Sequence, residues 1–131
     1  MSHADVTLLD STVLVAYERD LTRRTQTFVV NAFLDERVLL TSALSATTAA
    51  AQLGHQVREL SFLLHDPEAV VRVLELGLSG FENGSSAREP SLEAVETAVV
   101  AAEARATGAT IFTFEPDRYK GWLVDVVDMR P

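Results

Sequence analysis

Asp10 interrupts the stretch LLDSTVLVAY, residues 8 to 17, where one apolar run ends and another begins. A carboxylate at the end of a buried strand is costly unless something uses it. Two uses fit: Asp10, with Ser11 and Thr12 beside it, caps the helix that follows, or it holds a charged ligand. Glu115 stands in a comparable place, two residues past Thr113 at the end of the strand-like ATIFTF. In parallel sheets ligands bind beyond the carboxyl ends of the strands, so Asp10 and Glu115 are the first candidate site residues. The other acids near them have simpler uses. Glu93 and Glu96 suit the first turns of a helix starting after Ser91, and Glu115-Pro116-Asp117 suits a turn.

Several chemistries are excluded. The chain has no cysteine, so it can form neither a disulfide nor a thiolate metal site. His3, His55 and His65 show no metal-ligand spacing. There is no glycine-rich phosphate loop and no serine or cysteine nucleophile elbow. Tyr119 and Trp122 read as core anchors rather than as platforms for stacked bases.

The elements that must position these residues alternate strand and helix. Strands are expected at 6–9, 38–41, 69–76, 110–114 and 123–128. Helices are expected from Ser11, from a cap at Thr22, over 42–53 with Gly54 ending it, over 55–65 with Pro67 closing it, and from Ser91 to Thr107 before Gly108. The stretch SGFENGSSAREP, residues 79–90, reads as a loop. This order predicts a three-layer α/β/α domain with a mainly parallel central sheet of about five strands.

With 131 residues the chain is expected to form a single domain, 1–131. Nearly half of it is apolar and 7% aromatic, the composition of a folded globular protein. No signal peptide and no membrane span are expected, and the expected location is the cytoplasm. The formal charge is −8 with one lysine, Lys120, which disfavours phosphate backbones as partners. Arg19, Arg23 and Arg24 form the one tight basic group and read as a solvated helix face.

Three stretches together resemble the PIN domain family, including its toxin-type ribonucleases. LLDSTVLVAY is similar to the family's opening strand, aspartate, small polar pair and helix. VLLTSALSATTAAAQLG, residues 38–54, is similar to the strand and helix that supply a glutamate. TAVVAAEARATGATIFTFEPDRY, residues 97–119, is similar to the closing helix, glycine, strand and Thr-x-Asp. The resemblance covers most of the chain, with residues 55–90 matching loosely. Active members are Mg²⁺- or Mn²⁺-dependent nucleases in which three or four carboxylates hold the metal that activates water.

Carried over residue by residue, the resemblance puts the first acid at Asp10 and the fourth at Glu115. The second position falls on Thr48, with Thr47 as the next choice, and the third on Thr97, and none of these carries charge. Glu96 stands one residue off that register, about 100° around a helix. Glu93, one turn before Thr97, and Asp117 are partial substitutes, and Thr113 could orient a water. The resemblance therefore implies a scaffold degenerate at its acidic site, lacking efficient hydrolysis and acting through protein or RNA binding. A homodimer or a small antitoxin-like protein is the implied partner. The alternative is a working endoribonuclease of the toxin–antitoxin type, with Mg or Mn held by Asp10 and Glu115. A dehalogenase-like phosphatase fits less well, since Thr12 stands where it needs a second aspartate. A receiver domain also fits less well, lacking a lysine at a late strand end.

Overall fold

The structure is a computed structural model and describes residues 6–20, 23–65, 70–76 and 78–131. Among these described residues five strands form one sheet: β1 (Val6–Leu9), β2 (Val38–Ser42), β3 (Val71–Leu74), β4 (Thr110–Thr113) and β5 (Val126–Asp128). Their order is β3-β2-β1-β4-β5 and every pairing is parallel. The helices are α1 (Ser11–Arg19), α2 (Arg24–Leu34), α3 (Ala43–Leu53), α4 (Arg58–His65), α5 (Leu78–Gly84) and α6 (Leu92–Thr107). This is the expected three-layer α/β/α arrangement.

The sheet is apolar on both faces because adjacent strand residues point to opposite sides. Leu9 and Leu39 join Val13, Leu14, Val29, Ala49, Leu60 and Leu63 from the first four helices. Leu8, Leu40 and Ile111 face the other way, against Val100 and Ala104 of α6 and the ring of Tyr119. The chain leaves β1 for β2 and β3 on one side, then returns to place β4 on the other side of β1. That reversal opens a crevice at the carboxyl ends of β1 and β4. The pairing Leu9↔Phe112 puts the next residues, Asp10 and Thr113, side by side at its floor.

Differences from the expected elements are local. Residues 79–90 were expected to be loop, but Leu78–Gly84 is a helix; its glycines and serines hid a short apolar turn. The third strand is Val71–Leu74 and the fifth Val126–Asp128, both shorter than expected because pairing with a neighbour, not composition, sets their length. The second helix starts after Arg23, a left-handed residue with φ 58° and no side-chain cap; Thr22 and Pro67 lie outside the described residues. Ser42 and Ser91 cap α3 and α6 through their hydroxyls, and Gly108 ends α6 in the left-handed conformation at φ 69°.

Glu103 on α6 is half-buried, and its Oε1 is buried without a hydrogen-bond partner. Burial pushes its carboxyl up to about 7, against a smaller downward pull from the Ser42 hydroxyl. A raised acid stabilises the fold while protonated. Its contribution is complete below the ordinary value of 4.5 and is lost as pH rises through about 7. Glu103→Gln removes that loss. In urea titrations it is expected to be more stable than wild type by about 1–2 kcal/mol at pH 8, after discounting for partial exposure. The two are expected to coincide at pH 4.

Candidate functional site

The crevice is built from the starts of α1 and α3, one face of α6, and the chain after β4. Asp10 is fully buried. Its Oδ1 accepts the Thr12 N–H at 3.0 Å and the Thr12 hydroxyl, so it caps α1. Its Oδ2 accepts the Tyr119 hydroxyl at 2.7 Å. Thr12 Oγ1 lies 3.2 Å from Thr113 Oγ1 and accepts the Phe114 N–H at 2.9 Å. Thr113 Oγ1 in turn accepts the Glu115 N–H at 2.9 Å. These hydroxyls tie the end of β1 to the end of β4.

Glu96 is the second buried acid, with no exposed surface. Its Oε2 accepts the Ser11 N–H at 2.9 Å and the Ser45 hydroxyl at 2.7 Å. Its Oε1 accepts the Ser11 hydroxyl at 2.7 Å and Arg118 Nη1 at 3.1 Å. Ser11 opens α1 and Ser45 lies in the first turn of α3. The carboxylate therefore sits where two helix N-termini present partial positive charge, which is how so buried an acid is tolerated.

Arg118 completes the centre. It belongs to a 3-10 turn, Pro116–Tyr119, whose opening proline presets the backbone. Its guanidinium, 11% exposed, meets three carboxylates: Nε lies 3.2 Å from Glu93, Nη1 3.1 Å from Glu96, and Nη2 is paired with Glu115. The Nε approach is an ion pair without hydrogen-bond geometry. The next residue, Tyr119, carries the hydroxyl that binds Asp10. One turn thus delivers a cation and a phenol to adjacent acids.

The electrostatics follow this packing. Burial raises the Asp10 carboxyl above its ordinary value of 3.8; the Thr113, Thr12 and Tyr119 hydroxyls oppose the shift and the charge of Glu96 adds to it. Burial also holds the Tyr119 hydroxyl far above its ordinary value, reinforced by Asp10, so it stays protonated and donating. For Arg118 burial works against the charge, but Glu96, Glu115, Asp10 and Glu93 outweigh it and raise its pKa.

Of the sequence candidates, Asp10, Thr113, Glu115 and Glu93 come together here. Thr97 does not turn into the centre: its hydroxyl donates to the Glu93 carbonyl at 2.9 Å within α6. Glu96 takes that place, so the helix is rotated by one residue from the expected register. Thr48 is buried with its hydroxyl unpartnered; Ser45, one turn earlier on α3, is the residue that reaches Glu96. Asp117 is exposed and lines a neighbouring cleft of about 340 Å³ with Arg88, Thr97, Arg118 and Trp122. Sequence reasoning missed Arg118, Ser45 and the polar role of Tyr119. Trp122 is half-buried beneath the Arg88 guanidinium, 4.9 Å from its ring centre.

A divalent ion does not fit this arrangement. Magnesium needs several oxygens in near-octahedral geometry at roughly 2.0–2.1 Å, whereas Glu96 already accepts two protein donors on each oxygen and Asp10 three in all, which leaves one lone-pair site between them. Among the described residues no group of three or more acidic, histidine or cysteine side chains is placed to hold a metal. Nor, among them, is any helix long and apolar enough to cross a membrane.

No family model and no curated protein matches the sequence. Among solved structures the chain is similar to VapC20 of Mycobacterium tuberculosis, a sarcin–ricin loop cleaving toxin, at 21% identity and a TM-score of 0.64, covering 95% of this chain and 99% of that one. It is also similar to FitAcB from Neisseria gonorrhoeae, at 17% identity and a TM-score of 0.60, covering 93% of this chain and 96% of the other. The likeness runs end to end and is one of fold: an all-parallel five-stranded sheet between helical layers, which is the PIN-like fold that the sequence resemblance predicts.

Proposed function

We propose that this chain is a PIN-like domain that keeps the scaffold of a toxin-type ribonuclease but lacks efficient hydrolysis, and that it acts by binding. The observation carrying this reading is that donors of the same chain fill Glu96 and take three of the four lone-pair sites of Asp10. Glu96 can ligate an ion or take a proton from water only after one of these donors leaves, and Asp10 has a single site to offer. The partner is a protein, either a second copy or a small antitoxin-like chain, rather than RNA. Two features support this. The net charge of −8 repels phosphate backbones. Val30, Phe33 and Leu34 stand 55%, 52% and 73% exposed at helical spacing along α2, an apolar stripe of the kind that partners cover.

The test is cleavage of a structured RNA with Mg²⁺ or Mn²⁺ at about ten times a 1 mM dissociation constant. Wild type is expected to cleave no faster than Asp10→Asn. Cleavage by wild type that disappears in both Asp10→Asn and Glu96→Gln would establish a nuclease instead. Light scattering across a micromolar range tests the homodimer, which a constant monomer mass would exclude.

One observation favours a metal-dependent endoribonuclease as a second reading. Acids still crowd one point, with Glu93, Glu96 and Glu115 around Arg118 and Asp10 close behind. That reading requires Arg118 and Tyr119 to leave their present partners.

A further inference from the structure

The acidic centre already contains a cation. Arg118 reaches Glu93, Glu96 and Glu115 with three different nitrogens of one rigid plane, and only 11% of its side chain is exposed. An exposed arginine paired by chance would reach one acid and keep its water. Here the fork geometry of guanidinium matches several carboxylates at once, something a lysine ammonium does not do. The position is fixed from both sides: the Arg118 N–H donates to the Glu115 carbonyl at 3.1 Å, and Tyr119 next to it is anchored on Asp10 at 2.7 Å. The turn that follows is held by Arg88, whose Nη2 donates to the Lys120 carbonyl at 2.6 Å. A Cβ at Gly121, where φ is 83°, would come within 3.1 Å of that same nitrogen.

We propose that the Arg118 guanidinium is the resident cation of this centre: it neutralises the acids that meet at the ends of β1 and β4 and excludes a divalent ion from them. The inference rests on the non-hydrolytic reading above and adds its cause. The acids persist because an arginine, not a metal, is their counter-ion. Removing Arg118 should then leave a carboxylate set with an open cation position, centred on Glu96 and Glu115.

The experiment is Mn²⁺ titration of the full chain by calorimetry, for wild type, Arg118→Met and the double variant Arg118→Met/Glu96→Gln. Wild type is expected to bind more weakly than about 1 mM. Arg118→Met is expected to gain at least about tenfold in affinity, and the double variant to lose that gain. Wild-type binding tighter than about 1 mM, or a folded Arg118→Met with no gain, overturns the proposal. If Arg118→Met does not fold alone, circular dichroism is read after adding about 10 mM guanidinium or Mn²⁺, concentrations well below those that denature. Recovery with either ion supports the resident-cation role, and failure with both overturns it. RNA cleavage by wild type would sink the binding reading, whereas an Arg118→Met variant that gains no Mn²⁺ affinity sinks this inference alone.

Discussion

Replacing Glu96 with alanine is expected to cost about 3–5 kcal/mol of unfolding free energy, the range for removing one partner of a buried ion pair. Four donors lose their acceptor together: the Ser11 N–H, the hydroxyls of Ser11 and Ser45, and Arg118 Nη1. Arg118 recovers part of the loss, since Glu93 and Glu115 are 61% and 51% exposed and let it move towards water. The serine hydroxyls can rotate to other acceptors. The Ser11 N–H cannot, because it is fixed at the first turn of α1. Glu96→Gln retains one acceptor oxygen and is expected to lose about 2 kcal/mol, closer to the worth of charged hydrogen bonds. Denaturant titration at pH 7 checks the order. Were Glu96→Ala as stable as wild type, the buried network would not be holding the crevice together.

Asp10 gives the second large effect, and there the two simple substitutions should diverge. Asp10→Ala removes the α1 cap, worth about 1 kcal/mol, and orphans the buried Tyr119 hydroxyl, worth about 1–3 kcal/mol. The expected loss is therefore about 2–4 kcal/mol. Asp10→Asn keeps the shape and one acceptor, and its amide can donate to the Tyr119 oxygen. The sign of its pH dependence follows from burial. The Asp10 carboxyl sits above its ordinary value in the fold, so its stabilising contribution is complete at low pH and falls as pH rises through that raised value. Asn does not ionise. The stability of Asp10→Asn relative to wild type should therefore improve from pH 4 to pH 8. Tyr119→Phe in the Asp10→Ala background should cost less than in wild type, since the hydroxyl has by then lost its acceptor.

The sheet and its helices were legible because alternation of short β-branched runs with capped helices is a strong signal. Ser42, Ser91, Gly54 and Gly108 mark helix ends where the structure has them. The register of α6 was not legible. Glu96 and Thr97 are adjacent, polar and both buried, so neither polarity nor burial tells which of the two turns inward. Counting back from Gly108 led to Thr97, while the two helix N-termini and Arg118 select Glu96. Arg118 does not stand out in the sequence because the family's site pattern is acidic. A basic residue three after Glu115, inside an acidic turn and next to a tyrosine, was the available signal. Tyr119 is the core anchor that the sequence suggests, but a buried phenol also needs an acceptor. Asp10 lies 109 residues away in the chain, and nothing in the local sequence marks it as that acceptor.

The acids at the ends of β1 and β4 are held by donors of their own chain. Anomalous diffraction from a crystal soaked in Mn²⁺ tests this most directly. No ion is expected among Asp10, Glu96 and Glu115, and Arg118 should remain paired to Glu96 and Tyr119 to Asp10. A manganese peak bound by those carboxylates, with Arg118 swung out, would contradict it.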